Sequence, residues 1–257
     1  MHFDAERFSG YFRRSLAALE SRHGAAPVEA RLRPLVAAPI DAQVIAALLR
    51  TEAANAQDAA GILRRARQWL MLALIERDTS GAATLEEVCS AMSAFAWQAT
   101  DLAMRVAAAP LLSRHGRALD RDGAPQDLLA VGMGKVGGDE LNVSSDLDLV
   151  FVFRSEGETE GVNGSGRIAS SEWMQRLARR TIALLAEMTA EGFVFRIDTR
   201  LRPNGDSGPL VVPLPMLEHY FFSQGREWER FAWLKAKVLA DSGTAGETAR
   251  ESDELAL

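Results

Sequence analysis

The stretch GMGKVGGDELNVSSDLDLVFVF, from Gly132 to Phe153, decides how the rest of this sequence reads. Gly132, Gly134 and Gly137 fit the dinucleotide spacing GxGxxG. Asp146 and Asp148, starting nine residues beyond Gly137, fit a carboxylate pair of the kind that serves phosphoryl chemistry. The dinucleotide reading needs a strand, the glycines, a full helix and a second parallel strand ending in an acid. Gly138 to Ser145 is too short for a crossover helix, and no Gly-Lys-Ser/Thr closes a P-loop.

The carboxylate reading fits better. Residues i and i+2 of a strand project to one face, so Asp146 and Asp148 stand side by side. Bare carboxylates that close repel unless a cation lies between them, and hard oxygen donors suit Mg²⁺. The alternative is two solvent-facing strand residues, which the depletion of Asp in strands disfavours. A third acid, Asp198, follows in FVFRIDTRLRP, Phe193 to Pro203, whose alternation predicts a half-buried strand. Three strand-borne acids can serve two Mg²⁺ ions in an in-line displacement at phosphorus.

Around these acids, Gly134, Gly137 and Gly138 are expected to let backbone N–H groups approach a phosphate. Ser144 and Ser145 add hydroxyls. Lys135 reads equally as a phosphate contact or a surface lysine. Arg196, Arg200 and Arg202 alternate with Asp198, placing guanidinium groups beside the metal; for Arg196 a structural ion pair is as good a reading.

Working outward, residues 1–120 read as a helical bundle, with segments at Ser9–Ser21, Asp41–Ala53, Ala56–Arg77 and Leu85–Ala109; Thr84 is a candidate cap. RDGAPQ, from Arg121, is a linker. DLLAVGMG and DLDLVFVF are strands, Gly157–Gly166 a loop, and Ser171–Glu191 a helix capped by Ser170 or Ser171. NGDSGPLVVP is a turn and a strand, and LEHYFFSQGREWERFAWLKAKVLA a helix broken near Gly225. The polar tail, 241–257, is expected to be disordered. This order predicts an α+β fold: a small mixed sheet with helices in residues 121–240, preceded by the bundle.

The 257 residues, 47% hydrophobic and 25% charged, suit a globular protein with a proper core. The single cysteine, Cys89, permits no internal disulfide and sits in an apolar run as a core residue. A charged N-terminus and the lack of a long apolar run predict a cytoplasmic protein without a membrane span. A net charge of −6 argues against a broad nucleic-acid surface.

The segments GMGKVGGDELNVSSDLDLVFVF and FVFRIDTRLRPNGDSGPLVV, followed by EHYFFSQGREWERFAWLKAKVLA, resemble the glutamine synthetase adenylyltransferase family over roughly Leu129 to Ala240. Its bacterial members have two nucleotidyltransferase-like halves, one adding AMP to a tyrosine of glutamine synthetase, the other removing it by phosphorolysis to give ADP. ELNVSSDLDL and LRPNGDSGPLV resemble the AMP-removing half. The resemblance implies Asp146, Asp148 and Asp198 as metal-binding and catalytic carboxylates. It implies Gly134, Lys135, Gly137, Gly138, Ser144 and Ser145 along the nucleotide phosphates, and Arg200 and Arg202 in an RLRP motif that organises the site. Mg²⁺, the nucleotides ATP, ADP or AMP, glutamine synthetase as protein substrate and the PII signal protein as regulator follow from it. Thr199 departs from the methionine frequent there, and family members are much longer, so this chain reads as a truncated or split version. The alternatives are AMP addition, a non-catalytic remnant that binds glutamine synthetase or PII, and a nucleotidyltransferase acting on RNA or a small molecule.

Overall fold

A computed structural model describes residues 3–54 and 58–245. By backbone contacts they fall into two units. The first runs to Phe95 and includes Asp139–Ser144 and Thr189–Val194. The second comprises Ala96–Gly138, Ser145–Met188 and the chain from Phe195 on.

The first unit holds α1 (Ala5–Phe8), α2 (Gly10–His23), α3 (Ala25–Ala37), α4 (Ala42–Ala54), α5 (Ala59–Thr79) and the start of α6 (Leu85–His115). Helix α5 is its axis. Leu63, Ala66, Leu70, Leu72, Ala73 and Leu74 are all at most 1% exposed, and α1 to α4 pack against it. Its charged residues Arg64, Glu76 and Arg77 are buried as well, so the helix is surrounded on most of its circumference. The Asp58 side chain caps it by accepting from Gly61 N–H. Thr84 caps α6 as expected, accepting from Glu87 N–H at 3.2 Å. Helix α3 lies between two of the expected helical segments; Pro27 falls in its first turn, where its missing N–H has no partner to lose.

The second unit holds the rest of α6, β1 (Leu128–Gly132), α7 (Gly134–Gly137), β2 (Leu147–Phe153), α8 (Ser170–Ala186), β3 (Ile197–Asp198), β4 (Val211–Pro213), α9 (Leu214–Ser223), α10 (Glu227–Ala232) and β5 (Lys237–Asp241). The sheet order is β3-β2-β1-β5, with β4 also on β2. Strand β1 is antiparallel to β2 and β5, whereas β3 and β4 run parallel to β2. The expected mixed sheet and α+β class are therefore present. One face is apolar through Val131, Val150, Val152 and Val212, packed with Leu217, Phe221 and Trp233. On α8, Trp173, Met174 and Leu177 are fully buried, and that helix packs on β1, β3 and β4.

Four expectations need correction. The strand predicted over Phe193–Pro203 is only Ile197–Asp198; beyond it the chain turns at Thr199–Leu201. The expected final helix ends at Ala232, and Lys237–Asp241 is a strand. The edge of β1 offers it hydrogen bonds, and Gly132 makes room, since a Cβ there would lie 2.7 Å from the Leu239 side chain. Helix α8 is capped by neither Ser170 nor Ser171; Ser170 Oγ donates to Leu119 O at 2.6 Å. The expected tail disorder fails at its start. Ser242, Thr244 and Ala245 are buried, and Asp127 Oδ1 accepts from Ser242 Oγ, Thr244 N–H, Thr244 Oγ1 and Ala245 N–H at 2.6–3.2 Å. Residues 246–257 lie outside the described residues. Among the described residues no helix is long and apolar enough to cross a membrane.

Candidate active site

Strand β2 opens with Leu147 and Asp148, and β3 is Ile197 and Asp198. The two pair in parallel, Leu147 opposite Ile197 and Asp148 opposite Asp198. Leu147 N–H donates to Arg196 O at 2.9 Å, which fixes the register. Alternation puts Asp148 in the row of Val150 and Val152, on the apolar face. Asp148 is half-buried there. Burial raises its pKa above the ordinary carboxylate value, and the charges of Asp198 and Asp146 raise it further against the pull of Arg200 and Lys135.

The outer acids have their own partners. Arg196 Nε donates to Asp146 Oδ1 at 2.5 Å. Arg200 donates through its backbone N–H to Asp198 Oδ1 at 2.8 Å, and through Nε to both carboxylate oxygens at 3.0 and 2.9 Å. Hydrogen bonding to the Arg200 side chain holds Asp198 below the usual carboxylate range, so it is a poor proton acceptor.

The glycine-rich turn lies directly beside Asp148. Met133 N–H donates to Asp148 O at 2.9 Å. Gly134 has φ +55°, and a Cβ there would sit 3.1 Å from Asp148 Oδ2; glycine is what leaves space against that oxygen. Lys135 Nζ is 3.4 Å from Ser145 Oγ. The phosphate-cradling roles expected of Gly137 and Gly138 fare differently. Their N–H groups donate within the turn, to Met133 O and Gly134 O. A Cβ on Gly137 would meet Lys235 O at 1.9 Å, so that glycine serves packing. Ser144 belongs to the first unit, where its N–H and hydroxyl donate to Asn142 Oδ1.

Arg202 acts on Asp198 through its charge, which helps lower that acid's pKa, while its hydrogen bonds go to the turn after β3. It is buried, with Nη1 donating to Thr199 O and Oγ1 at 2.7 and 2.6 Å, and it clamps the turn after β3. Thr199, the departure noted in the sequence, supplies one of those acceptors. The predicted run of three arginines on one strand face fails because β3 ends at Asp198.

Among the described residues no group of three or more His, Cys, Asp or Glu side chains is arranged to hold a metal ion, although Asp146 and Asp198 act on Asp148 through their charges. Asp146 precedes β2 and turns to Arg196. The donor set still fits Mg²⁺, which is commonly bound by one or two carboxylates together with substrate phosphates. Asp148 and Asp198 are in-register neighbours, and the crowding of negative charge on Asp148 is what a dication relieves.

This arrangement lies in a chain with many relatives. The chain is 51% identical over 183 residues to the bifunctional glutamine synthetase adenylyltransferase/adenylyl-removing enzyme of Ralstonia nicotianae, covering 71% of this chain and 19% of that protein. It is 45% identical over 240 residues to the protein of that name from Bordetella pertussis, covering 90% and 24%. With that from Aromatoleum aromaticum it shares 42% identity over 227 residues, covering 88% and 23%. The chain thus spans about a fifth to a quarter of the length of these relatives. Residues 23–252 match the glutamate-ammonia ligase adenylyltransferase family, and the chain belongs to that family.

Proposed function

We propose that this chain carries a nucleotidyl-transfer centre that controls the adenylylation of glutamine synthetase by removing AMP from its tyrosine with inorganic phosphate, releasing ADP. The carrying observation is the in-register pair Asp148 and Asp198 with Gly134 open against the Asp148 carboxylate. Residues 121–240 are the catalytic part in this reading, and the helices of residues 1–120 and the loop Gly157–Gly166 meet the protein substrate. On the resemblance alone, the PII signal protein is a regulatory partner. The single cysteine suits a reducing, cytoplasmic setting.

A phosphate oxygen attacks the α-phosphorus, a new P–O bond forms, and the bond to the tyrosyl oxygen breaks. Mg²⁺, when bound, would neutralise the charge spread over the phosphoryl oxygens. Asp148 and Asp198 would hold it, with Asp146 once released from Arg196. Gly134 keeps the approach to Asp148 Oδ2 clear. Lys135, Arg196 and Arg200 supply positive charge for non-bridging phosphate oxygens. Positioning and charge neutralisation therefore carry the rate.

The test is to incubate the purified chain with adenylylated glutamine synthetase, Mg²⁺ and phosphate, following AMP loss by intact mass, with Asp146→Asn/Asp148→Asn in parallel. Phosphate-dependent loss, absent in the variant, is expected. AMP gained by unmodified glutamine synthetase with ATP instead would reverse the direction. No change either way from a folded chain would leave a binding fragment.

A further inference from the structure

Three acids and three bases meet in this site: Asp146, Asp148 and Asp198 against Lys135, Arg196 and Arg200. Formal charge cancels. A dication entering alone leaves the site with two surplus positive charges, and a phosphate entering alone leaves surplus negative charge. Entering together, they largely offset each other.

The arginines differ in exposure. The side chains of Arg196 and Arg200 are 60% and 72% exposed, so water can reach both guanidinium groups. That of Arg202 is 9% exposed and fixed by Thr199. Each exposed arginine grips an outer carboxylate through charged hydrogen bonds: Arg196 holds Asp146, and Arg200 holds both oxygens of Asp198. Asp148, between them, has no guanidinium of its own in these pairs.

We propose that Arg196 and Arg200 are a charge latch: without substrate they occupy Asp146 and Asp198, and nucleotide phosphate oxygens draw them off, freeing the carboxylates for the cation. The inference rests on the nucleotidyl-transfer reading above. Both arginines are positioning residues in this scheme, exchanging a carboxylate for a phosphate, whose paired oxygens the planar guanidinium fork also matches. Phosphate and cation then bind with positive coupling, and by linkage each strengthens the other by the same factor. The latch keeps the site from settling on a bare cation.

The experiment measures Mn²⁺ binding to the 257-residue chain by electron paramagnetic resonance, with and without ADP, correcting for Mn²⁺–ADP free in solution. In Arg196→Gln and Arg200→Gln, Mn²⁺ alone should bind about two- to fivefold tighter, the range of an exposed ion pair. The enhancement by ADP should shrink correspondingly. Asp148→Asn is the control for the site, and circular dichroism confirms folding. Unchanged or weaker Mn²⁺ binding in both arginine variants, with binding still dependent on Asp148, overturns the latch and leaves the metal site standing. No Asp148-dependent binding in any folded variant overturns the metal reading and the latch with it.

Discussion

Asp148 and Asp198 are direct cross-strand partners on parallel β2 and β3, yet their acidities are pushed in opposite directions. Burial and neighbouring acids raise Asp148, while the Arg200 side chain lowers Asp198. One sheet register thus produces a carboxylate strained by its charge beside one stabilised in it.

That strain predicts a trade of stability against function at Asp148. Its folded pKa lies above the ordinary 3.8, so the folded chain holds the proton more tightly than the unfolded one. The favourable contribution is present below pH 3.8 and is lost as pH rises through the raised value. Asp148→Asn should therefore stabilise the metal-free chain at pH 7 by up to about 1 kcal/mol, or about 2–4 °C in Tm. The gain should vanish below the ordinary pKa, and Mn²⁺ binding should be lost. Calorimetry across pH checks this.

Asp198 has the opposite sign. Its depressed pKa contributes stability above 3.8 that is lost as pH falls through the lowered value. The group is largely covered but its Arg200 partner is exposed, so the contribution is modest. Arg200→Gln should lower stability slightly at pH 7, with the difference from the wild type closing in acid, as urea titrations at several pH values would show.

Two glycines of one turn should fail in different ways. Gly134→Ala meets a left-handed φ and presses on Asp148 Oδ2 at 3.1 Å. It should cost about 1–2 kcal/mol and weaken Mn²⁺ binding. Gly137→Ala places a Cβ 1.9 Å from the Lys235 carbonyl, and backbone cannot yield as a side-chain tip can. A loss of about 3 kcal/mol or more is expected from denaturant midpoints.

At the far end of the second unit, Asp127→Ala should remove the acceptor of four donors from Ser242, Thr244 and Ala245. Buried donors left without a partner cost about 1–3 kcal/mol each before relaxation, so a total near 3 kcal/mol is expected. Faster amide exchange confined at first to β5 would confirm the assignment.

In the first unit, the Glu52 side chain is 2% exposed and bonded to Arg31 and to Arg65 Nε, the latter at 3.1 Å. Glu52→Ala strips two partly covered guanidinium groups of their carboxylate. It should cost about 2–4 kcal/mol in thermal or urea unfolding.

The sequence by itself determined what periodicity carries. The apolar run of β2, the amphipathic α8 and the helically spaced apolar residues of α5 formed as their patterns require, because burial of those side chains is favourable in almost any packing. It also marked Asp146, Asp148 and Asp198, since paired carboxylates on apolar strands stand out by chemistry. Only the tertiary structure decided which partners those acids take. The register of β2 on β3, the grip of Arg196 on Asp146 across 50 residues, and the withdrawal of Arg202 into its own turn depend on pairings no local pattern encodes. So does the strand at Lys237–Asp241. Its residues suit a helix, but the open edge of β1 and the space above Gly132 give them a better-bonded, better-buried place in the sheet.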